Sequence, residues 1–422
     1  MNLNDKGIME KTVVLVNRAM YLPGEGGYKR TMYLYDMMRK MGHNPILLTS
    51  DFNHYSKKPR DVDKFRAEYP EYSDIVFLHT RTYSKNISLQ RKLAENDWKE
   101  AVKRWISENS DHTDAVMLSM PDMDTILAVN KICKKKGIDV IIDVRDLRPE
   151  AFKVLLKNEL LYKVATYPMK LKADKAYACA DILFAVSEEY LNRGDVEESK
   201  ARIKKAIYIG AVLDKFDAGV RRYEKDITKP VDEIWLIYAG TLGTSYDLVT
   251  VIDAVNILKE KKYDGKRLKF IVLGQGPDRD ALATHARETG ATNVEFVGFV
   301  EYEKMAAYLS KSDVTINAIK RRASQSIINK VADYFSAGIP MLNGCVCKEQ
   351  LDMVDDYRVG LNYEPENTES LVDALDKLLD QPELRKEMGR NARKLAEEKF
   401  DREKTYREII DCIYDCADSS VV

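Results

Sequence analysis

The feature that most constrains the fold of this 422-residue chain is a regular alternation of short apolar segments with helical patterns. Such alternation predicts a mainly parallel sheet with helices on both of its faces. The pattern runs to about residue 213 and then, after a break, starts again. The apolar segments predicted as strands are 11–16, 44–50, 74–80, 114–120, 139–146 and 181–187 in the first run, and 233–240, 268–276, 293–300, 313–319 and 340–344 in the second.

Two such runs predict a pair of doubly wound α/β domains in series, in keeping with the chain length. The break, residues 214–232, is polar and lacks periodicity, so we interpret it as an interdomain linker. The predicted domains are therefore 1–213 and 233–400. Residues 401–422 are predicted to form a terminal helix, for which packing back on the first domain is one option. In sheets of this kind, ligands bind at the carboxyl ends of the strands.

The charge balance and the cysteines exclude several classes of protein. The 67 basic side chains nearly cancel the 68 acidic ones, which argues against a nucleic-acid-binding coat. The polar start of the sequence does not resemble a signal peptide, and no apolar run reaches the length of a membrane span. Six scattered cysteines without a CxxC pair are typical of cytosolic thiols. The expected location is the cytoplasm, with peripheral contact at the inner face of the cell membrane as an option.

Two patterns of residues that would signal a bound cofactor or metal are missing. No full GxGxxG with a downstream ribose acid occurs, which disfavours a nicotinamide dehydrogenase. The five histidines show no metal-binding spacing, and the DxD match at Asp122 looks like the start of a helix. Neither a metal nor a cofactor is expected.

Glycine-containing loops at three strand ends of the second domain are candidate ligand loops. Glycine lets the backbone approach a ligand closely, and free N–H groups at a following helix start attract an anion. The alternatives are a tight turn with a helix cap, or a buried strand that ends in a turn. The residues concerned are Gly243 and Thr244 in AGTLGTSYD (239–247), Gly274 and Gly276 in LGQGP (273–277), and Gly298 in VEFVGFV (294–300).

The segment SQSIINKVADYFSAGIP (324–340) predicts a buried helix that Gly338 and Pro340 end, yet Lys330 and Asp333 lie on one face of it. A diphosphate at the start of this helix would meet free N–H groups and the positive end of the helix dipole. Lys330 would add a full positive charge, and Asp333 would accept hydrogen bonds from hydroxyls of the adjoining ribose. The alternative is a surface Lys–Asp pair of small energy.

Two groups of residues in the first domain are candidates for contacts with an acceptor. Gly26 and Gly27 follow the first strand and permit close approach of a phosphate or an acceptor, with loop flexibility as the alternative. Asp143, Arg145 and Asp146 stand at the end of another strand. They are suited either to handling an acceptor hydroxyl or to pairing with each other.

Taken together, these pieces resemble glycosyltransferase family 4. The resemblance covers nearly the whole chain and rests on the order of GEGGYKRTMYLYDMMRKMG, DVRDLRPEAF, YAGTLGTSYDLVTVIDA, FIVLGQGP and NKVADYFSAGIPML. It implies a GT-B fold, with two Rossmann-like domains that face a central cleft. It also implies sugar transfer from a nucleotide-diphosphate donor, a UDP-sugar being favoured, with retention at the anomeric carbon and no metal. The implied acceptor is a hydroxyl of a glycan or a polyprenyl-linked glycan, in surface polysaccharide biosynthesis.

The resemblance also implies roles for individual residues of the second domain. The two acids of the family's Glu–seven residues–Glu pattern fall on Gln325 and Asp333, so an amide replaces the first acid. The basic pair that many relatives carry in the 240–247 loop falls on Thr241 and Tyr246. Lys330 therefore becomes the main candidate for charge stabilisation on the diphosphate and is a predicted catalytic residue.

In the first domain, Asp146 is the nearest counterpart of the histidine that many relatives use in catalysis, and it is the second predicted catalytic residue. It would orient the acceptor or stabilise positive charge on the sugar. The departures at Gln325, Thr241 and Tyr246 leave an alternative open, a degenerate glycosyltransferase that acts as a non-catalytic partner subunit. A nucleotide-sugar 2-epimerase on the same fold is another alternative.

Residues 151–176 mix leucines with six lysines. One interpretation is a helix that lies on an anionic membrane surface and reaches a lipid-linked acceptor. The other is a solvated helix that packs its leucines inward.

Overall fold

The computed structural model describes residues 11–27, 30–150, 158–193, 199–323 and 326–414. Within these residues the chain divides into two compact units, the first formed by 11–150, 158–207 and 406–414 and the second by 208–405. Each unit has its own parallel sheet, so the prediction of two doubly wound α/β domains is confirmed. The structure places the boundary between the two units after residue 207, whereas the sequence predicted the end of the first domain at residue 213.

The first unit is built on a seven-stranded parallel sheet in the order β5-β2-β1-β6-β7-β8-β9. Its inner strands are apolar on both faces, as in β1, because helices cover the sheet on both sides. The strand order reverses between β1 and β6, so the loops that leave these two strands flank the crevice where such sheets bind ligands. The elements are β1 (Val13–Val16), α1 (Arg30–Lys40), β2 (Ile46–Ser50), a hairpin of β3 (Phe52–Asn53) and β4 (Lys58–Pro59), α2 (Val62–Glu68), β5 (Val76–Leu78), α3 (Leu89–Glu108), β6 (Ala115–Met120), α4 (Met123–Lys136), β7 (Asp139–Val144), α5 (Glu159–Tyr177), β8 (Ile182–Ala185), α6 (Glu188–Leu191) and β9 (Ile203–Ala206).

The second unit repeats the plan with the order β13-β12-β10-β14-β15-β16, and the short strand β11 pairs antiparallel with the start of β12. Here the order reverses between β10 and β14. The elements are α7 (Leu213–Tyr223), β10 (Glu233–Ala239), α8 (Leu248–Ile257), β11 (Lys262–Tyr263), β12 (Lys266–Leu273), α9 (Arg279–Glu288), β13 (Val294–Gly298), α10 (Tyr302–Lys311), β14 (Val314–Ala318), α11 (Asn329–Ser336), β15 (Met341–Gly344), α12 (Lys348–Asp356), β16 (Gly360–Asn362), α13 (Thr368–Asp380) and α14 (Pro382–Leu395).

Helix α15 (Arg402–Tyr414) ends the described chain. Its residues from Tyr406 onward belong to the first unit, where Tyr406, Ile409, Ile410 and Ile413 are fully buried in the core. These apolar positions recur at helical spacing and belong to the same core cluster as residues of α1 and β1. None of the helices in the described parts of the chain is both long and apolar enough to cross a bilayer.

The predicted linker, residues 214–232, is wrong over its first half. Residues 213–223 form helix α7, which packs against α10 so closely that a Cβ on Gly219 would lie 2.7 Å from the Cα of Glu303. Leu213 and Phe216 anchor its buried face. The charged residues between these apolar positions hid the helical period, because only one narrow stripe of the helix is apolar.

Helix α5 has two apolar faces, and only one of them is buried. Tyr162, Ala173 and Ala176 lie on the buried face, inside the first unit. Leu160 and Leu161 are 73% and 57% exposed, so the inward packing that was one interpretation of this segment is wrong for both. The leucines at 155 and 156 lie outside the described residues.

Candidate functional site

The two glycine loops of the second unit interlock at the carboxyl edge of its sheet. The backbone N–H of Gly240 donates to Leu273 O (3.0 Å). A Cβ on Gly274 would lie 1.9 Å from Gly240 O, and one on Gly276 would lie 2.1 Å from Leu242 O. These two predicted donor-binding glycines therefore have a packing role, since any side chain there would push the loops apart.

The rest of the first glycine loop has space around its backbone, and a helix cap fixes its last residue. Gly243 has room for a side chain, and Thr244 is exposed. The prediction that Thr244 stands at a helix start is wrong, because α8 begins at Leu248 and the Asp247 carboxylate caps it by accepting from Thr250 N (3.5 Å). The loop is thus longer than expected.

Helix α11 begins later than predicted. It starts at Asn329, because Ile328 has extended backbone and ends the apolar run before it. Among the described residues, no side chain caps its N-terminus, and the buried Ser326 hydroxyl has no hydrogen-bond partner. Gln325 lies outside the described residues. Uncapped amides next to an unpaired hydroxyl are suited to binding an anionic group.

The Nζ atom of Lys330 is buried at this helix start. It lies 3.9 Å from the ring centroids of both Tyr238 and Tyr246 and has no hydrogen-bond partner among the described residues. A Cβ on Gly240 would lie 2.7 Å from Nζ, so glycine makes room for the ammonium. Burial lowers the pKa of Lys330 well below its usual value. Buried polar groups in proteins usually have hydrogen-bond partners, and a bound anion would provide one for this amine.

Asp333 is not the ion-pair partner of Lys330, so the surface-pair alternative is wrong. Asp333 is 6% exposed, and its Oδ1 accepts a hydrogen bond from the Tyr302 hydroxyl at 2.8 Å. Gly298, at the end of β13, has φ of 91° and open space around its α-carbon. Its backbone is thus accessible on the same sheet edge.

These residues come together because the sheet order reverses between β10 and β14. The loop after β10 carries Tyr246, and the segment after β14 leads into α11 with Lys330. The backbone of Tyr246 bridges to Ile319, and Lys320 N donates to Ser245 O at 3.1 Å, which joins the two segments. The arrangement offers a helix start without a side-chain cap, a hydroxyl and an amine to one anionic ligand. The roles of Tyr238 and Gly240 were missed, since only the fold brings them to Lys330.

In the first unit, the loop after β1 borders a cavity of about 480 Å³. Gly26 lines it, and Gly27 has φ of 96° with the Tyr21 ring 2.2 Å from where a Cβ would be. The Arg60 guanidinium holds the loop through Glu25 Oε1 at 2.9 Å. Burial alone would raise the pKa of Glu25, but the hydrogen bonds and charge of Arg60 lower it. Gly27 is therefore required for loop packing, and Gly26 stays a candidate for ligand contact.

The cluster after β7 separates into a structural and an exposed part. Asp143 is buried and accepts two hydrogen bonds from Arg30, at 3.0 and 3.1 Å, rather than pairing with Arg145. Arg145 donates to Thr31 Oγ1 at 3.3 Å. Asp146 is exposed as a residue, but protein atoms around its carboxyl raise its pKa by desolvation. Arg145 and Asp146 thus remain the residues of this cluster that are suited to an acceptor.

Among the described residues, no group of three or more His, Cys, Asp or Glu side chains is arranged to hold a metal ion. The DxD match at Asp122 is therefore not part of a group of metal ligands among the described residues. The Asp122 carboxylate accepts a hydrogen bond from Trp98 Nε1 at 2.9 Å and stands before helix α4, as the sequence predicts.

Comparison with known proteins places the chain in context. Residues 220–395 match the family model described as glycosyl transferases group 1. The WcaI protein of Escherichia coli (strain K12), whose name assigns it to colanic acid biosynthesis as a glycosyl transferase, is 25% identical over 200 residues, 47% of either chain. The chain thus spans about half the length of this relative.

Solved structures share the fold over nearly the whole chain. A sucrose-phosphate synthase from Thermosynechococcus elongatus has a TM-score of 0.70 at 15% identity and covers 97% of this chain and 100% of its own. HepE from Anabaena, in complex with UDP, has a TM-score of 0.68 at 13% identity, with coverage of 96% and 100%. At such low identity these likenesses show the fold alone.

Proposed function

We propose, on the premise that this chain is a member of the glycosyl transferases of group 1, that it moves a sugar from a nucleotide-diphosphate donor to a hydroxyl of a glycan or lipid-linked acceptor. The observation that carries the proposal is the Lys330 Nζ atom, which is buried without a hydrogen-bond partner among the described residues, beside an uncapped helix start. A UDP-sugar is the favoured donor, because HepE, which shares the fold, binds UDP.

In the proposed reaction, the second unit stabilises the leaving group. As the bond between the sugar and the diphosphate breaks, negative charge grows on the phosphate oxygens. The amides at the start of α11 and the Lys330 ammonium would hold that charge without reorganising, which is where fixed dipoles contribute most. The Asp333 carboxylate would accept hydrogen bonds from the ribose hydroxyls, and the hydrogen bond from Tyr302 would orient it. The acceptor would attack on the face that the diphosphate leaves, so that the anomeric configuration is retained.

The acceptor side of the proposal rests on the first unit. Asp146 is exposed, and its raised pKa favours a carboxyl that can exchange a proton with an acceptor hydroxyl. Arg145 would bind an acceptor phosphate or hydroxyl, and Gly26 would contact it through the backbone. The name of the E. coli relative suggests a surface polysaccharide as the product.

A thermal-shift screen against nucleoside diphosphates and nucleotide sugars tests the proposed donor. A ligand present at about a hundred times its dissociation constant adds roughly 2.7 kcal/mol of stability. We expect a shift with UDP and UDP-sugars that Lys330→Met abolishes and Lys377→Met, at an exposed position, preserves. No shift with any nucleotide would contradict the proposal. Binding without donor hydrolysis or transfer would indicate the non-catalytic partner subunit instead.

We also propose that helix α5 rests on an anionic membrane surface, which would bring a polyprenyl-linked acceptor within reach. Five large apolar residues of α5 are 42% to 73% exposed, and four of them share one face at helical spacing. Lysines flank this face, as in helices that lie at anionic interfaces. The face consists of Leu160, Val164, Tyr167 and Leu171, with the exposed Leu161 beside it, and the flanking lysines are Lys163, Lys170, Lys172 and Lys175.

Flotation with vesicles of pure phosphatidylcholine and of phosphatidylcholine with phosphatidylglycerol tests this membrane contact. We expect binding to the anionic vesicles at low salt, and its loss in the Leu160→Ser, Val164→Ser double variant. The double variant Val231→Ser, Ile257→Ser removes apolar residues that are 92% and 64% exposed elsewhere, and it should bind like the wild type. Equal flotation of the wild type and the α5 variant would refute the contact.

A further inference from the structure

The Lys330 amine lies in an enclosure that two tyrosine rings form. Tyr238 is fully buried, and its hydroxyl donates to Thr241 O at 2.7 Å, which fixes the ring under Nζ. Tyr246 is partly exposed, and its ring, edge-to-face with that of Tyr238 at a centroid distance of 5.9 Å, covers an adjacent side of Nζ. The stem of Lys330 is partly exposed, while its Nζ is not. Tyr246 is therefore the wall of this enclosure that lies nearer to solvent.

Among the described residues, no acidic side chain forms a hydrogen bond with the Lys330 amine, and the nearby tyrosines do not ionise near neutral pH. On α11, Asp333 accepts from Tyr302, and after the loop Asp247 caps α8 through Oδ1, while its buried Oδ2 has no hydrogen-bond partner among the described residues. Burial raises the pKa of Tyr238 and Tyr246, so neither ionises near neutral pH. On α11, burial likewise raises the pKa of Tyr334, whose hydroxyl bonds to Ala239.

The basic side chains on the segment after β14 do not stabilise a charged Lys330 either, since they carry the same positive charge. Lys320 is partly exposed, and Arg321 and Arg322 are exposed. Arg321 pairs with Glu364 at 2.5 Å. Any field from this segment opposes protonation of Lys330.

The enclosure therefore disfavours the charged form of Lys330 while the protein is empty. Aromatic faces attract a cation, but they offer no acceptor for the three N–H bonds of an ammonium. An amine removed from water without hydrogen bonds or a counter-charge loses its proton more readily. Burial accordingly lowers the pKa of Lys330.

We infer that Lys330 is a neutral amine in the ligand-free protein and takes up one proton from solvent when the donor's diphosphate binds. The inference rests on the proposed function, since it needs an anionic ligand at the start of α11. The diphosphate supplies the missing counter-charge and acceptor oxygens, so the amine becomes an ammonium that bonds to phosphate. No covalent bond changes, and the proton comes from the buffer.

Proton uptake has a definite sign. Between the pKa of Lys330 in the empty protein and its pKa in the complex, affinity for the donor falls tenfold for each unit that the pH rises. In the empty protein, Lys330 is neutral when folded but protonated when unfolded, up to about pH 10.4. The folded state thus binds fewer protons, and its stability relative to a variant without the amine rises with pH.

A ligand-free experiment tests the neutral amine. Urea unfolding of the wild type and of Lys330→Met is compared from about pH 7 to about pH 9, inside the range in which a free lysine is charged. We expect the unfolding constant of the wild type to fall about tenfold per pH unit relative to the variant. A ratio that does not change with pH would overturn the inference. If Lys330→Met does not fold, Lys330→Gln serves as the second variant.

A second experiment tests the link to the donor. Titration calorimetry with UDP-glucose, whose diphosphate has no group that titrates near neutral pH, is run in buffers of different ionisation enthalpy. We expect about one proton taken up per UDP-glucose bound to the wild type and none with Lys330→Met. Binding without proton uptake would overturn the inference and leave the proposed function standing. Absence of binding by the wild type would contradict the proposed UDP-sugar donor, while the ligand-free ratio would still decide the charge of Lys330.

Discussion

Replacing Lys330 by methionine is expected to move stability and activity in opposite directions. Nζ is buried and lacks a hydrogen-bond partner among the described residues, and leaving a buried polar group unsatisfied costs about 1–3 kcal/mol. Methionine keeps the length of the side chain, and its sulfur makes favourable contacts with aromatic rings such as those of Tyr238 and Tyr246. We therefore expect Lys330→Met to raise the free energy of unfolding by about 1–3 kcal/mol at about pH 10, and by about a further 1.4 kcal/mol for each pH unit below that, because folding then also removes the proton of Lys330.

Activity should fall in the same variant, because the ammonium is the main cation that we assign to the leaving diphosphate. Removing one group that stabilises charge in a transition state costs on the order of 3 kcal/mol. That loss corresponds to a turnover number reduced by roughly a hundredfold. A side chain that destabilises the fold and supports the reaction is typical of a functional site.

Scanning calorimetry and a donor-turnover assay measure both effects on one preparation. For a unit of this size, each kcal/mol corresponds to a melting shift of roughly 2–4 °C. Lys377→Met, at an exposed position of α13, is the matched control and should change stability by no more than about 0.5 kcal/mol. A lower melting temperature in Lys330→Met, or an unchanged turnover number, would refute the reasoning.

Two further predictions concern the framework of the site. Arg30→Met leaves the buried Asp143 carboxylate unpaired, so we expect a loss of about 3–5 kcal/mol of stability in urea unfolding; a loss below about 1 kcal/mol would show that the pair contributes little. Gly274→Ala places a Cβ 1.9 Å from Gly240 O, whereas the same change at Gly243 meets nothing nearer than 3.7 Å. Donor binding, measured by thermal shift, should therefore be lost in Gly274→Ala and kept in Gly243→Ala, and equal binding by both would contradict the packing role.

Most strands could be predicted from the sequence, and the exceptions have physical reasons. The predicted strands are uniformly apolar because both sheet faces are covered. Strand β9 (Ile203–Ala206) was missed, since it lies at the edge of its sheet and carries two exposed lysines. Helix α11 was predicted to start too early, because the apolar Ile327 and Ile328 continue its pattern upstream without helical backbone.

The candidate site was predictable in its residues but not in its contacts. Lys330 stood out because a charge in a mostly apolar helix needs a reason. Its enclosure by Tyr238 and Tyr246 follows from the reversal of strand order at β10 and β14, which no local pattern contains. The packing role of Gly274 was likewise hidden, since it depends on a carbonyl from another loop.

The most direct test of this account is a crystal structure of the protein with UDP bound. The account predicts a phosphate oxygen about 2.7–3.2 Å from Lys330 Nζ, with the first amides of α11 donating to the same group. A diphosphate bound elsewhere, with the Lys330 amine still enclosed by the rings of Tyr238 and Tyr246, would contradict it.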